Sequence, residues 1–438
     1  MQGSRMLIAK ERNNMNLRIK NCQALLPLGD GFAVEQKDIF ISGSRILALG
    51  SAPGGFLAEK TIDAADRLVI PGLINCHTHN YMSLFRNSAD DVPFDEWLFQ
   101  RVMPREDRMV PEDAYWGAML GIMEMLRTGT TCFNDMQMHI HQTAQAAADA
   151  GIRAVIGRGL SGTGDDEGGA RRLREAEEEI ERWKEHPRLT FTIAPHAPYT
   201  CGRDYLIQAL QTAKKRDLPL HIHLSESAFE VENMKKETGL SPIAYAESLG
   251  LLDVPILIAH CVHVDEEDIR LLARPNVSVV TNPASNMKLG NGFAPVPEML
   301  ASGVRVCLGT DGAASNNSLN LFHEMGLVTL IHKGNKKNAV AVSAAEAFQM
   351  ATRKGAEALG LAQEIGSIEV GKKADLAILN LREPQMMPQH DLVAALSYSA
   401  NGSEVETVLV DGEIVMENRR FPTIDEERVY YEVTRRAE

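Results

Sequence analysis

Val69-Ile70-Pro71-Gly72-Leu73-Ile74-Asn75-Cys76-His77-Thr78-His79-Asn80 is the stretch whose reading decides the fold. An apolar, β-branched run reaches a Pro-Gly pair and continues into two histidines separated by one residue. Alternate side chains of a strand leave the same face, so His77 and His79 point together. Two neutral imidazoles held side by side make half of a tetrahedral metal site. In a chain with 13 histidines, an isolated H-x-H is read equally well as polar residues at a strand end.

Upstream of the stretch, Leu17–Lys20, Asp38–Ile41 and Arg45–Leu49 are short β-like runs separated by Gly-rich turns such as Gly29-Asp30-Gly31. The C-terminal end repeats the pattern with Ala374–Leu379, Val405–Val410 and an Asp411-Gly412 hairpin turn into Glu413–Met416. Both ends therefore contribute to one small β-sandwich, residues 15–70 plus 373–438. Pro71-Gly72 is the point where the chain leaves it. The polar residues 1–14 lack an apolar signal core and are expected to be a disordered tail.

Between the ends, apolar β-rich segments alternate with helical ones. The candidate strands are 68–76, 129–135, 152–158, 189–195, 219–224, 255–260, 276–281 and 304–310. Helices are predicted over Pro111–Leu126, Gln142–Ala150 and 170–186. Eight strand–helix repeats predict an α/β fold, a (β/α)8 TIM-type barrel over 71–372. The connection 80–110 is too long for a simple link and is expected to be a substrate loop.

Composition narrows the function. A net charge of −14 argues against nucleic acid as a partner. No apolar run approaches the roughly 18 residues of a membrane span. Six dispersed cysteines without C-x-x-C spacing read as reduced thiols of a cytoplasmic protein rather than a disulfide framework. A small-molecule substrate remains, and a homo-oligomer is compatible with all of this.

Catalytic residues of such barrels lie at the C-terminal strand ends. Here those ends read His77-Thr78-His79, Ala194-Pro195-His196-Ala197-Pro198, His221-Ile222-His223-Leu224-Ser225-Glu226, Ala259-His260-Cys261-Val262-His263 and Gly309-Thr310-Asp311-Gly312. Histidine or carboxylate recurs at strands one, four, five, six and eight. That order turns the ambiguous H-x-H into part of a set.

The set resembles the amidohydrolase superfamily. The runs Pro195–Tyr199, His221–Glu226, Ala259–His263, Asn282–Gly290 and Gly309–Asn317 are similar to the 5′-methylthioadenosine/S-adenosylhomocysteine deaminases. The resemblance implies His77, His79, His223 and Asp311 as ligands of one divalent metal, since strand four offers His196 and no lysine to bridge a second. Zinc is the default, with Fe, Mn or Ni accepted by the same donors. It further implies that Glu226 moves protons, that Asp311 accepts one from the attacking water and that His260 orients it. His196 would bind the base, Glu96 the ribose hydroxyls, and Arg158 with Arg171 (Arg172 as the alternative) an amino-acid carboxylate. His221 reads as a core histidine, and His139 and His141 as rim residues. The expected reaction is hydrolytic deamination of a nucleoside at C6. A guanine deaminase or triazine chlorohydrolase on the same scaffold is the alternative. A non-catalytic barrel would show eroded ligand positions, and none is eroded here.

Overall fold

A computed structural model describes residues 15–437; the tail expected over 1–14 lies outside them. Two eight-stranded sheets organise the chain. One is parallel, with Leu73–Thr78, Thr130–Gln137, Arg153–Leu160, Leu189–Pro195, Leu220–Leu224, Ile256–His260, Val277–Thr281 and Arg305–Leu308 in sequence order. Nearly all of their residues are buried, because helices cover the outside and side chains fill the centre. The last strand meets the first at the C-terminal rim, where the N–H groups of Thr310 and Asp311 donate to the His77 carbonyl at 3.1 and 3.0 Å. This is the (β/α)8 barrel that the alternation predicts.

The run expected as one strand over 68–76 is divided. Arg67–Pro71 pairs antiparallel with Leu376–Asn380 in the other sheet, and only Leu73–Thr78 belongs to the barrel. Gly72 makes the change of sheet possible: a Cβ there would lie 2.0 Å from Thr131 Oγ1. Apolar character alone carries no sign of such a break, whereas the Pro-Gly pair does.

The second sheet takes its strands from Asn16–Pro71 and Leu376–Met416. Asn16–Leu28 is its spine, parallel to Lys60–Asp63 over its first half and to Arg67–Pro71 over its second. A bulge between Ile19 and Cys22, with Asn21 at φ 62°, bends the spine. The two halves then enclose Leu17, Ile19, Ile39, Ile41, Leu376 and Leu409. The expected sandwich is thus one continuous sheet folded over itself. Two helices of the C-terminal span, Leu392–Tyr398 and Glu426–Ala437, pack on barrel helices instead of on this sheet. Among the described residues no helix is long and apolar enough to cross a membrane.

A buried ion pair joins the two sheets. Arg153, at the start of the third barrel strand, donates to both oxygens of Asp375 at 2.8 and 3.1 Å. Removing one partner of such a pair strands the other charge, so Arg153→Met is expected to cost about 3–5 kcal/mol in urea unfolding.

The connection after the first barrel strand is ordered. It runs through the turns Asn80–Phe85 and Glu96–Val102 to Met103–Glu106. Tyr81, Phe85, Trp97, Leu98 and Val102 form its own apolar cluster with Ala314. Trp97 Nε1 donates to the Ala314 carbonyl at 3.2 Å, which ties this connection to the loop after strand eight.

Candidate active site

His77 and His79 leave the first strand on one side, as their spacing requires. Their Nε2 atoms lie 3.4 and 3.5 Å from Asp311 Oδ1, and His79 Nε2 is 3.3 Å from His223 Nε2. His260 completes the cluster: the ligand atoms of His77, His223 and His260 lie within 4.8 Å of one another, as do those of His77, His79 and Asp311.

Hydrogen bonds behind the rings fix what the front atoms offer. His79 Nδ1 donates to the Met136 carbonyl at 2.5 Å and His223 Nδ1 to the His196 carbonyl at 2.7 Å. Carbonyls only accept, so both hydrogens sit on Nδ1 and both Nε2 atoms carry lone pairs. Two lone pairs 3.3 Å apart, with a carboxylate beside them, repel unless a cation lies between. His77 Nε2 is buried without a hydrogen-bond partner, while its Nδ1 meets His221 Nε2 at 2.9 Å. Burial pushes His77 down to about 4 and His223 well below the usual imidazole range. Neutral imidazoles are the form that ligates metals. Three imidazole nitrogens and one carboxylate oxygen fit a divalent ion with a position left for water. His221 is a buried histidine, as expected, with the added task of holding His77 from behind.

Asp311 is held in one orientation. Its Oδ2 accepts from Ser285 Oγ at 2.6 Å and Ser315 Oγ at 2.8 Å, and the Gly312 N–H donates to Oδ1 at 2.8 Å. Burial alone would raise its carboxyl; the His77 imidazole beside it and those of His79 and His260 outweigh it and hold it well below the usual range. The strand ends are strained at this rim. Ser225, His260, Cys261 and Asp311 have φ of 55°, 76°, 48° and 58° without being glycine. Such conformations cost about 1–3 kcal/mol each and persist only where the surroundings enforce them.

Glu226 follows Ser225 around one of these turns. Its Oε2 lies 3.8 Å from His260 Nε2, and Asn291 Nδ2 donates to its Oε1 at 3.2 Å. The Glu230 carboxylate accepts the N–H groups of Ser225 and Glu226 at 3.0 and 2.8 Å, fixing the turn. Burial raises Glu226, which favours a carboxyl able to give a proton. At His260 burial pulls the pKa down, but the Glu226 and Asp311 charges prevail and hold it up. Asn286 Oδ1 takes the His260 Nδ1 hydrogen at 2.9 Å, which aims Nε2 at the cluster.

A cavity of about 210 Å³ opens above the cluster. His196, Glu226, His260 and Asp311 line it, as do Tyr81, Glu106, Arg158 and Arg172. His196 Nδ1 bonds Thr200 Oγ1 at 2.8 Å. Arg158 is 9% exposed, paired with Glu175 at 3.2 Å.

Two expected residues lie elsewhere. Glu96 is absent from the cavity wall and pairs outward with Arg101 at 2.6 Å. Arg171 has a side chain 63% exposed and faces Glu175 at 3.5 Å, whereas its neighbour Arg172 lines the cavity and donates to the Ser161 carbonyl at 3.0 Å. Glu106, with its neighbour Asp107, supplies the carboxylates of the long connection that line the cavity. Helical spacing could have found Glu106 and Arg172. Leu98, Val102 and Glu106 recur every four residues, and Arg172 sits beside the buried stripe Leu173-Ala176-Ile180.

The model of the amidohydrolase family matches residues 68–415, and the chain belongs to that family. Within it the chain stands among the 5-methylthioadenosine/S-adenosylhomocysteine deaminases. A relative so named from Caldanaerobacter subterraneus subsp. tengcongensis is 44% identical over 426 residues, 97% of this chain and 98% of the relative. Among solved structures, an adenosine deaminase from Xanthomonas campestris with bound zinc is 32% identical, with a TM-score of 0.91 over 96% of this chain and 98% of that one. The atrazine chlorohydrolase of Arthrobacter aurescens TC1 complexed with zinc is 26% identical, with a TM-score of 0.89 over 96% of this chain and 100% of that one.

Proposed function

We propose that this chain hydrolytically deaminates adenosine-type nucleosides, S-adenosylhomocysteine and 5′-methylthioadenosine, to the hypoxanthine nucleoside and ammonia. His77, His79, His223 and Asp311 would hold one divalent ion, zinc by preference. The carrying observation is the set of groups that line one cavity: the imidazole–carboxylate cluster, Glu226, Glu106, Arg158 and Arg172. That set supplies partners for the reacting C6 end of an adenine, for a ribose diol and for an amino-acid carboxylate. Guanine or a chlorinated triazine would use the cluster but bring no group for Glu106 and the two arginines to bind.

When bound, the ion lowers the pKa of a water toward about 7 and so supplies the nucleophile. Asp311 takes a proton from that water, and His260 Nε2 hydrogen-bonds the attacking oxygen. Glu226 protonates N1 as the C6–O bond forms, then takes the proton of the new C6 hydroxyl and passes it to the amine as the C6–N bond breaks, and the proton held by Asp311 restores Glu226. In net, one water proton ends on N1 and the other on ammonia. His196 packs against the purine. Glu106 replaces Glu96 as the acceptor of the ribose hydroxyls, and Arg172 replaces Arg171 beside Arg158.

Rates on S-adenosylhomocysteine, 5′-methylthioadenosine, adenosine, guanine and a chlorotriazine test the reading; turnover of only the last two would reject it. The arginines make a sharper prediction. Arg172→Met should raise KM for S-adenosylhomocysteine by about 10–100-fold, the worth of a charged hydrogen bond. It should leave 5′-methylthioadenosine, which has no carboxylate, nearly unchanged, and Arg171→Met should alter neither.

A further inference from the structure

The carboxylate assigned to the ribose hydroxyls is held by another side chain that has no assigned role. Tyr81 is 1% exposed and donates its phenol hydrogen to Glu106 Oε1 at 2.5 Å. Its ring is locked among Phe85, Trp97, Leu98 and Val102, so the hydroxyl cannot swing away. Both Tyr81 and Glu106 line the cavity. Tyr81 also stands two residues beyond His79, in the short turn Asn80–Phe85 that begins at that histidine. One short turn thus starts at a histidine of the cluster and carries the partner of Glu106.

We propose that Tyr81 is the specificity-determining residue for the 2′,3′-diol: it pins Glu106 in the rotamer that accepts both hydroxyls at a fixed distance from the reacting carbon. This rests on Glu106 being the diol acceptor. A carboxylate has about four acceptor positions. With one taken by the phenol, Oε2 and the remaining lone pair of Oε1 are left as two adjacent acceptors for a cis-diol on a residue that lines the cavity. A carboxylate free to rotate about its terminal torsion would offer that pair only part of the time, since this torsion is broad when nothing holds it. The Tyr81 bond removes that freedom before substrate arrives, and pre-organisation of this kind is paid back as affinity for substrates with both hydroxyls. It gives no benefit to a sugar that has none. A site built to bond a hydroxyl also rejects analogues lacking it, because its own polar groups are then left unpaired.

The test compares metal-loaded wild type, Tyr81→Phe and Glu106→Ala on adenosine and 2′,3′-dideoxyadenosine. The wild type should favour adenosine in kcat/KM by about 100-fold or more. Tyr81→Phe should raise KM for adenosine by about 10-fold with kcat within about twofold, leave dideoxyadenosine kinetics unchanged and keep its metal, the size expected for losing one charge-assisted hydrogen bond. An adenosine/dideoxyadenosine ratio equal to wild type in Tyr81→Phe, or an equal loss on both substrates, overturns the proposal. Glu106→Ala separates the two ideas. If it abolishes the preference while Tyr81→Phe does not, Glu106 remains the diol acceptor and only Tyr81 loses its role. If Glu106→Ala keeps the preference, the assignment of Glu106 itself is wrong.

Discussion

Glu226→Gln is expected to lower kcat on S-adenosylhomocysteine by about 10²–10⁴-fold, the range for loss of a positioned general acid–base group. KM and bound metal should stay near wild type. Glutamine keeps the length of the side chain and can still meet Asn291, which donates to Glu226 Oε1 at 3.2 Å in the native site. What it lacks is a transferable proton. The Ser225–Glu226 turn, held by Glu230 through two backbone N–H groups, should survive unchanged. Near-normal turnover would remove Glu226 from the proton path and leave His260, 3.8 Å away, as the alternative carrier.

His223→Ala should be as severe for a different reason. It removes the nitrogen 3.3 Å from His79 Nε2 and leaves two imidazoles and Asp311 of the four proposed ligands. Metal analysis of the purified variant should find well under one ion per chain, and activity should fall by at least three orders of magnitude, on the order of losing the activated water altogether. Added zinc should raise the melting temperature of apo wild type, because a ligand that binds only the folded state stabilises it. The variant should show little of that rise. His221→Ala forms a graded contrast: it removes only the partner of His77 Nδ1, and outer partners of this kind are worth about 10–100-fold in metal affinity or activity.

Much of this was legible in the chain, for physical reasons that also explain the exceptions. The barrel follows from strand–helix alternation, and the cluster from histidines and carboxylates at consecutive strand ends, because strand geometry fixes where those side chains go. The cavity wall is harder. Phe94-Asp95-Glu96-Trp97 draws attention as a carboxylate beside an aromatic pair, yet Trp97 turns inward and Glu96 turns out to Arg101. From Leu98 and Val102 on the buried face of that turn, the same four-residue step leads to Glu106, ten residues past Glu96, on the cavity wall. The same shift of face separates Arg171 from Arg172. Composition finds residue types; only the phase of a helix says which of two neighbours faces the substrate. The division at Pro71-Gly72 was visible as a break, but which sheet Arg67–Pro71 joins depends on Leu376–Asn380, three hundred residues away in sequence.

The most direct test is a metal titration of the apo protein, following ammonia released from S-adenosylhomocysteine. Activity should rise linearly with added zinc and level off at one equivalent per chain, with one ammonia formed for each nucleoside consumed. Turnover by the metal-free protein, or none of any adenine nucleoside once one equivalent is bound, would contradict a one-metal deaminase.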